Sequence, residues 1–224
     1  MNNAIDVDKT LTDMDLQSKN KWSLMAGIYS WITCPLLSPV YGMILIFILS
    51  ILSYSPLSTK IILTIIILGI NTLLPILLFI LLKLLNVIND VALNNQKERA
   101  LPYVIVILSM LGSAFFIWTR QAPSWVVMFF CGGAVAGLTN LVINRWWKIS
   151  AHAAGMAGIV AMLVHLSHIG APQHDIVPYI AGAIIATGLL GTCRVYLKRH
   201  TLWQVIAGSI VGFLSVYLMM LIEI

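Results

Sequence analysis

Of the 224 residues, 60% are hydrophobic and only 9% are charged, against roughly 25% charged residues in an ordinary soluble domain, which excludes a soluble globular protein. Seven apolar spans of about 20 residues, the length that crosses a ~30 Å hydrocarbon core, would leave only short loops and no separate soluble domain. The formal charge of +5 points to membrane orientation or anionic lipid headgroups rather than to nucleic acid.

In chain order, residues 1–21 carry Asp6, Asp8, Lys9, Asp13, Asp15, Lys19 and Lys21. They lack the basic opening and short apolar core of a signal peptide, so a polar tail that stays attached is expected. Residues 22–224 then read as one membrane-embedded domain. Trp22 to Leu37 is apolar but interrupted by Pro35, with Pro39 close behind, which suggests an interfacial or kinked lead-in to a first span near Leu36 to Tyr54. A second span, Ile61 to Leu85, is the most lipid-like, with Asn71 and Lys83 its only strongly polar residues. The polar stretch Asn86 to Arg99 follows. Further spans are expected at about Leu101 to Trp118, Trp125 to Ile143, Ser150 to Leu166, Ile176 to Cys193 and Leu202 to Leu221. Backbone in lipid must satisfy its own hydrogen bonds, so the expected fold is an all-α polytopic membrane bundle of six or seven transmembrane helices. Gly133 to Gly137 and Gly208 to Gly212 both read G-x-x-x-G, a spacing that lets helices approach closely.

With seven spans, the tail and the loops after spans two, four and six share one side. Eleven of the thirteen cations lie there, leaving Lys60 and Arg120 for the other side. The positive-inside rule makes the crowded side cytoplasmic. Three of its loops carry more than an orientation signal. In the first, Lys97 and Arg99 stand just before a helix opening around Pro102. In the second, Lys148 precedes Ser150, a good helix N-cap, and His152 is followed by Ala153, Ala154, Gly155 and Gly158, which leave room at a helix N-terminus where free amides favour an anion. In the third, Arg194 offers a planar fork suited to phosphate oxygens. His200 and Gln204, four apart, share a helix face on which an amide oxygen can hold an imidazole N–H. Together the loops argue for one convergent anion site.

In this order the three loops resemble the type 2 phosphatidic acid phosphatase family, whose signatures run K-x6-R-P, P-S-G-H and S-R-x5-H-x3-D. Ser150-Ala151-His152 matches S-G-H, and Cys193-Arg194-x5-His200-x3-Gln204 matches the last motif with two replacements. His200 to Gly208 is also similar to a bacterial branch with Gln in place of the Asp. The resemblance is strongest over residues 97–212. It implies a metal-independent phosphatase of the bacterial inner membrane that needs no cofactor and acts on a lipid phosphate such as phosphatidic acid, phosphatidylglycerol phosphate or an isoprenoid (di)phosphate. His200 would become a phosphohistidine and His152 would protonate the leaving alkoxide. Gln204 would orient His200, and Arg194, Ser150, Arg99, Lys97 and Lys148 would supply the phosphate contacts. The chain departs from the pattern at Gln204, which brings no charge, at Ile149, which replaces a proline, and at Ala92, where the first motif has lysine. A silent protein that binds or moves an anionic lipid, and a lipid phosphotransferase, are the alternatives.

Elsewhere His165, His168, His174 and Asp175 cluster near the loop after the fifth span, on the opposite face, where a structural or interfacial role is expected rather than a metal site. Trp118, Trp125, Trp146 and Trp147 read as interfacial anchors. Cys34, Cys131 and Cys193 have no disulfide or zinc spacing.

Overall fold

The computed structural model describes residues 20–90, 95–169 and 175–222. The tail up to residue 19, and His174, lie outside these. The described residues are helical, with no strand among them. A helix over residues 20–32 (α1) is followed by α2 (Ser38–Leu49), α3 (Leu57–Leu68), α4 (Leu74–Leu84), α5 (Ala100–Thr119), α6 (Ser124–Asn144), α7 (Ala151–His168), α8 (Val177–Tyr196) and α9 (Leu202–Met220). Six stretches are long and apolar enough to cross a membrane: Leu57–Leu84, Gln96–Thr119, Ser124–Asn144, Ala151–His168, Val177–Tyr196 and Leu202–Met220. The chain is therefore a multi-pass membrane protein.

The expected first span falls short. Twelve residues of α2 measure about 18 Å at 1.5 Å per residue, well under a bilayer core. Proline explains one end, because Pro35 and Pro39 allow helix only from Ser38 onward. At the other end Ser50 turns extended and its hydroxyl donates back to the Ile46 carbonyl at 2.7 Å and accepts the Leu52 N–H at 3.2 Å. The other six spans lie within a few residues of their expected limits.

The long span Leu57–Leu84 is continuous through a π-helical turn, Gly69–Leu73, just before Pro75. A proline within a helix removes one backbone donor and crowds the preceding turn, and a π-turn is one way to absorb that. The turn carries buried Asn71, whose amide donates to the Ile67 carbonyl at 3.2 Å and to the Ser113 hydroxyl of α5 at 2.6 Å. Thr72 donates to the Leu36 carbonyl at 2.7 Å, tying the α1–α2 connection to this span.

α7 is the most enclosed span, and small residues explain how. A Cβ on Gly212 would sit 2.0 Å from the Ala154 carbonyl oxygen, and one on Gly208 would sit 2.4 Å from that of Ser150. The second G-x-x-x-G thus presses α9 onto the first turn of α7. The first packs α6 on α5, Gly133 against Met110 and Gly137 against Ile107. Outside, large apolar side chains such as Ile65, Leu77, Leu108, Phe115 and Ile185 are exposed, as a bilayer environment requires.

Candidate functional site

The third motif is built by two helix caps. α8 ends at Tyr196 with Leu197 as its C-cap, Lys198 takes a left-handed φ of 54°, and its N–H donates to the Val195 carbonyl at 2.9 Å. The Arg194 carbonyl then accepts from Arg199 N at 3.0 Å and His200 N at 3.3 Å. This is a Schellman closure, and it converts five intervening residues into a fixed separation between Arg194 and His200. One residue later Thr201 caps α9 in a capping box with Gln204.

Gln204 has a second task. Its Oε1 accepts the Thr201 N–H at 3.1 Å and lies 3.1 Å from His200 Nδ1. A backbone N–H only donates, so the atom facing it is the amide oxygen, and an amide oxygen only accepts. His200 Nδ1 must therefore carry the proton. The lone pair is left on Nε2, the tautomer a nucleophile needs. His200 is buried, and burial, with Arg194, Arg99 and Lys148 nearby, pushes its pKa down to about 3 despite the Gln204 bond. It is neutral at physiological pH.

Hydrogen bonds to backbone carbonyls tie the three motifs together. Ser150 N donates to the Gln204 carbonyl at 3.2 Å, and Arg99 Nη1 donates to the Ile149 carbonyl at 3.3 Å. Ahead of Arg99, Gln96 and Asn144 exchange side-chain to backbone bonds of 2.7 and 3.0 Å, clamping this connection to the end of α6. The loop's own acid, Glu98, accepts from Asn89 and Asn95.

The result is a cavity of about 620 Å³ lined by Arg99, His152, Arg194, Arg199 and His200, with no Asp or Glu among the lining residues. His152 sits in the first turn of α7, with the Ser30 carbonyl as an acceptor for its ring. Lys148 is half-buried outside the lining, and burial together with Arg99, Arg194 and Arg199 holds its pKa below the usual lysine range. Thus four of the eight expected residues, Arg99, His152, Arg194 and His200, meet in the cavity. The other four stand around it: Gln204 behind His200, Lys148 beside the arginines, Lys97 exposed, and Ser150 fully buried with its hydroxyl accepting the Ala153 N–H at 3.4 Å.

Sequence reasoning missed Arg199, Tyr103, Asn140 and Ser30, all of which line the cavity. Arg199 was visible beside His200 but read as an orientation charge. Asn140 carried a signal, since an amide inside an apolar span is costly without a partner or a task. Ser30 reaches the site only because α1 folds over it.

At the other end of the α7–α9 seam, His168 Nδ1 lies 3.3 Å from the Tyr217 hydroxyl, and His165 packs edge-on against the same ring. Asp175 accepts the Val177 N–H at the start of α8 at 3.1 Å. No group of three metal-ligating side chains converges among the described residues. No family model matches the chain, and neither a curated protein nor a solved structure does.

Proposed function

We propose that this protein is a membrane-embedded phosphatase that removes phosphate from a lipid monoester through a phosphohistidine at His200. One observation carries this reading: His200, held by Gln204 in the tautomer with a free Nε2, shares a cavity with His152, Arg99, Arg194 and Arg199. Nε2 attacks phosphorus, the P–N bond forms, and the P–O bond to the lipid breaks as His152, which takes up the acidic proton of the monoester when the phosphate binds beside it, delivers that proton to the departing alkoxide. Water then attacks the phosphohistidine, His152 takes its proton, and inorganic phosphate leaves. Splitting the hydrolysis lowers each barrier, and the arginines stabilise the charge spread over the equatorial oxygens.

Substrate reaches such a cavity from the bilayer, and the charge distribution supports a site at the cytoplasmic face of the cell membrane. Lys60 and Arg120 belong to the opposite end of the bundle, whereas Lys148, Arg194, Lys198 and Arg199 surround the site. Labelling of a single cysteine at position 198 from inside only would support this orientation; labelling from outside only would reverse it.

The deciding experiment is phosphate release by purified protein from a panel of lipid phosphates, alongside His200→Ala and acid-labile trapping of phosphate on protein. Full turnover by His200→Ala would end the proposal. Tight lipid binding with no product over long incubation would instead favour the silent binder, a reading supported by the missing charge at Gln204.

A further inference from the structure

The cavity is longer than a phosphate needs. Its α5 wall runs from Arg99 to Met110 and its α6 wall from Asn140 to Phe129, each about 16 Å of helix at 1.5 Å per residue. The lining changes character along that length. Arginine and histidine line the mouth, and Val106, Met110, Phe129, Gly133 and Val216 line the far end.

Between these zones lie polar groups that the phosphoryl chemistry does not use. Asn140 is 3% exposed and Ser30 5% exposed, and Asn140 Oδ1 and Ser30 Oγ have no hydrogen-bond partner among the described residues. Buried polar atoms are almost always paired, and leaving one unpaired is costly. The α5–α6 packing sets the level of Asn140. Gly133 faces Met110 and Gly137 faces Ile107, so one turn further Asn140 lies level with Tyr103, one turn below Arg99. The Tyr103 hydroxyl lies beside the Arg99 guanidinium and, like Asn140 Oδ1, makes no hydrogen bond of good geometry among the described residues, so its own proton is there to give.

We infer that Asn140, with Tyr103 and Ser30 around it, is a specificity-determining station for a neutral oxygen group placed between the phosphate and the apolar chain of the ligand. The order along the cavity is then cation cluster, hydrogen-bonding station and apolar slot. It fits a glycerol-ester phosphate, whose free hydroxyl in that interval can donate to Asn140 Oδ1 and whose ester carbonyl can accept from the Ser30 or Tyr103 hydroxyl. An isoprenoid or alkyl phosphate offers no oxygen there and leaves the amide unpaired. This rests on the cavity accepting a lipid phosphate, as proposed above, but not on hydrolysis.

Binding is therefore measured in a His200→Ala background, in nanodiscs, using 1-hexadecanoyl-glycerol 3-phosphate and hexadecyl phosphate. The glycerol ester is expected to bind about tenfold more tightly, the effect of one buried hydrogen bond to an otherwise unpaired group. Adding Asn140→Leu brings the ratio close to one, and Asn140→Ser restores part of it. Because Asn140 Oδ1 has no hydrogen-bond partner among the described residues, Asn140→Leu keeps or raises the unfolding temperature of the empty protein, which separates lost recognition from lost folding. Equal binding of the two lipids by the parent protein, or a ratio unchanged by Asn140→Leu, overturns the inference. Phosphate release is followed in parallel on the His200 protein. A tenfold binding ratio without any release sinks the phosphatase and keeps the station; release without a ratio does the reverse.

Discussion

The seam between α7 and α9 has a histidine pair at each end, and the two ends differ in everything around the imidazoles. At one end His200 is held by an amide oxygen that is itself fixed by a backbone N–H, and three arginines share its cavity. At the other, His168 meets the Tyr217 hydroxyl and His165 packs on the same ring, whose other neighbour is the stacked Phe213. A histidine becomes a candidate nucleophile through an acceptor that sets its tautomer and cations that receive the product charge. A tyrosine hydroxyl, which both donates and accepts, sets no tautomer.

The sharpest way to break the comparison is to remove one histidine from each end. His200→Ala is expected to cost on the order of 10⁴-fold or more in kcat, as loss of a nucleophile does elsewhere, whereas His168→Ala changes it by less than about twofold. Comparable losses would mean that the two ends do not differ in function. Arg194→Ala should cost about 10²- to 10³-fold, in keeping with removal of a preorganised donor to a developing oxyanion. Arg194→Lys should recover only part of this, since an ammonium lacks the planar fork.

Gln204 tests how the imidazole is held. Gln204→Ala removes both the His200 acceptor and half of the capping box, so kcat should fall about tenfold or more and stability by about 1 kcal/mol. Gln204→Asp restores a charged acceptor and should raise the His200 pKa, seen as a shift in its NMR titration. A titration unmoved by the carboxylate would argue against the contact. Acid stability gives a smaller effect. The His200 pKa of about 3 in the fold lies below its ordinary value near 6.5. The unfolded chain therefore binds the proton first, and the contribution of this group is complete above about pH 6.5 and is lost as pH falls toward 3. The unfolding temperature of His200→Gln should then drop less than that of the parent protein between pH 6.5 and 4. The smallest change is expected from Lys198→Gly, which relieves a left-handed non-glycine residue at the Schellman turn. It should add roughly 1 kcal/mol, read from thermal unfolding in detergent.

Six spans were legible to within a few residues because hydropathy and length are local properties, and bilayer thickness imposes a common scale on them. The short α2 was harder, since its apolar run continues past Leu49. What ends the helix there is a serine that turns its hydroxyl back onto the Ile46 carbonyl, and composition does not reveal that choice. The same difference runs through the site. Arg194, His200 and Gln204 were readable together because two local caps, one at each side of a short connection, convert their spacing into geometry. Asn140, Tyr103 and Ser30 were not, since each reaches the cavity from a different helix.

By itself the sequence determined that the chain lives in a membrane, where six of its spans begin and end to within a few residues, and which cations and histidines fall on neighbouring loops. Those are consequences of burying apolar runs and of short-range hydrogen bonding, which act over a few residues. Only the tertiary structure decided that Arg99 bonds the Ile149 carbonyl, that Ser150 faces inward as a cap beneath Gly208, and that an amide oxygen on α6 lines the arginine cavity with no hydrogen-bond partner among the described residues. These depend on how closely α9, α7 and α6 approach one another, which is set by glycines whose missing side chains carry no chemistry of their own.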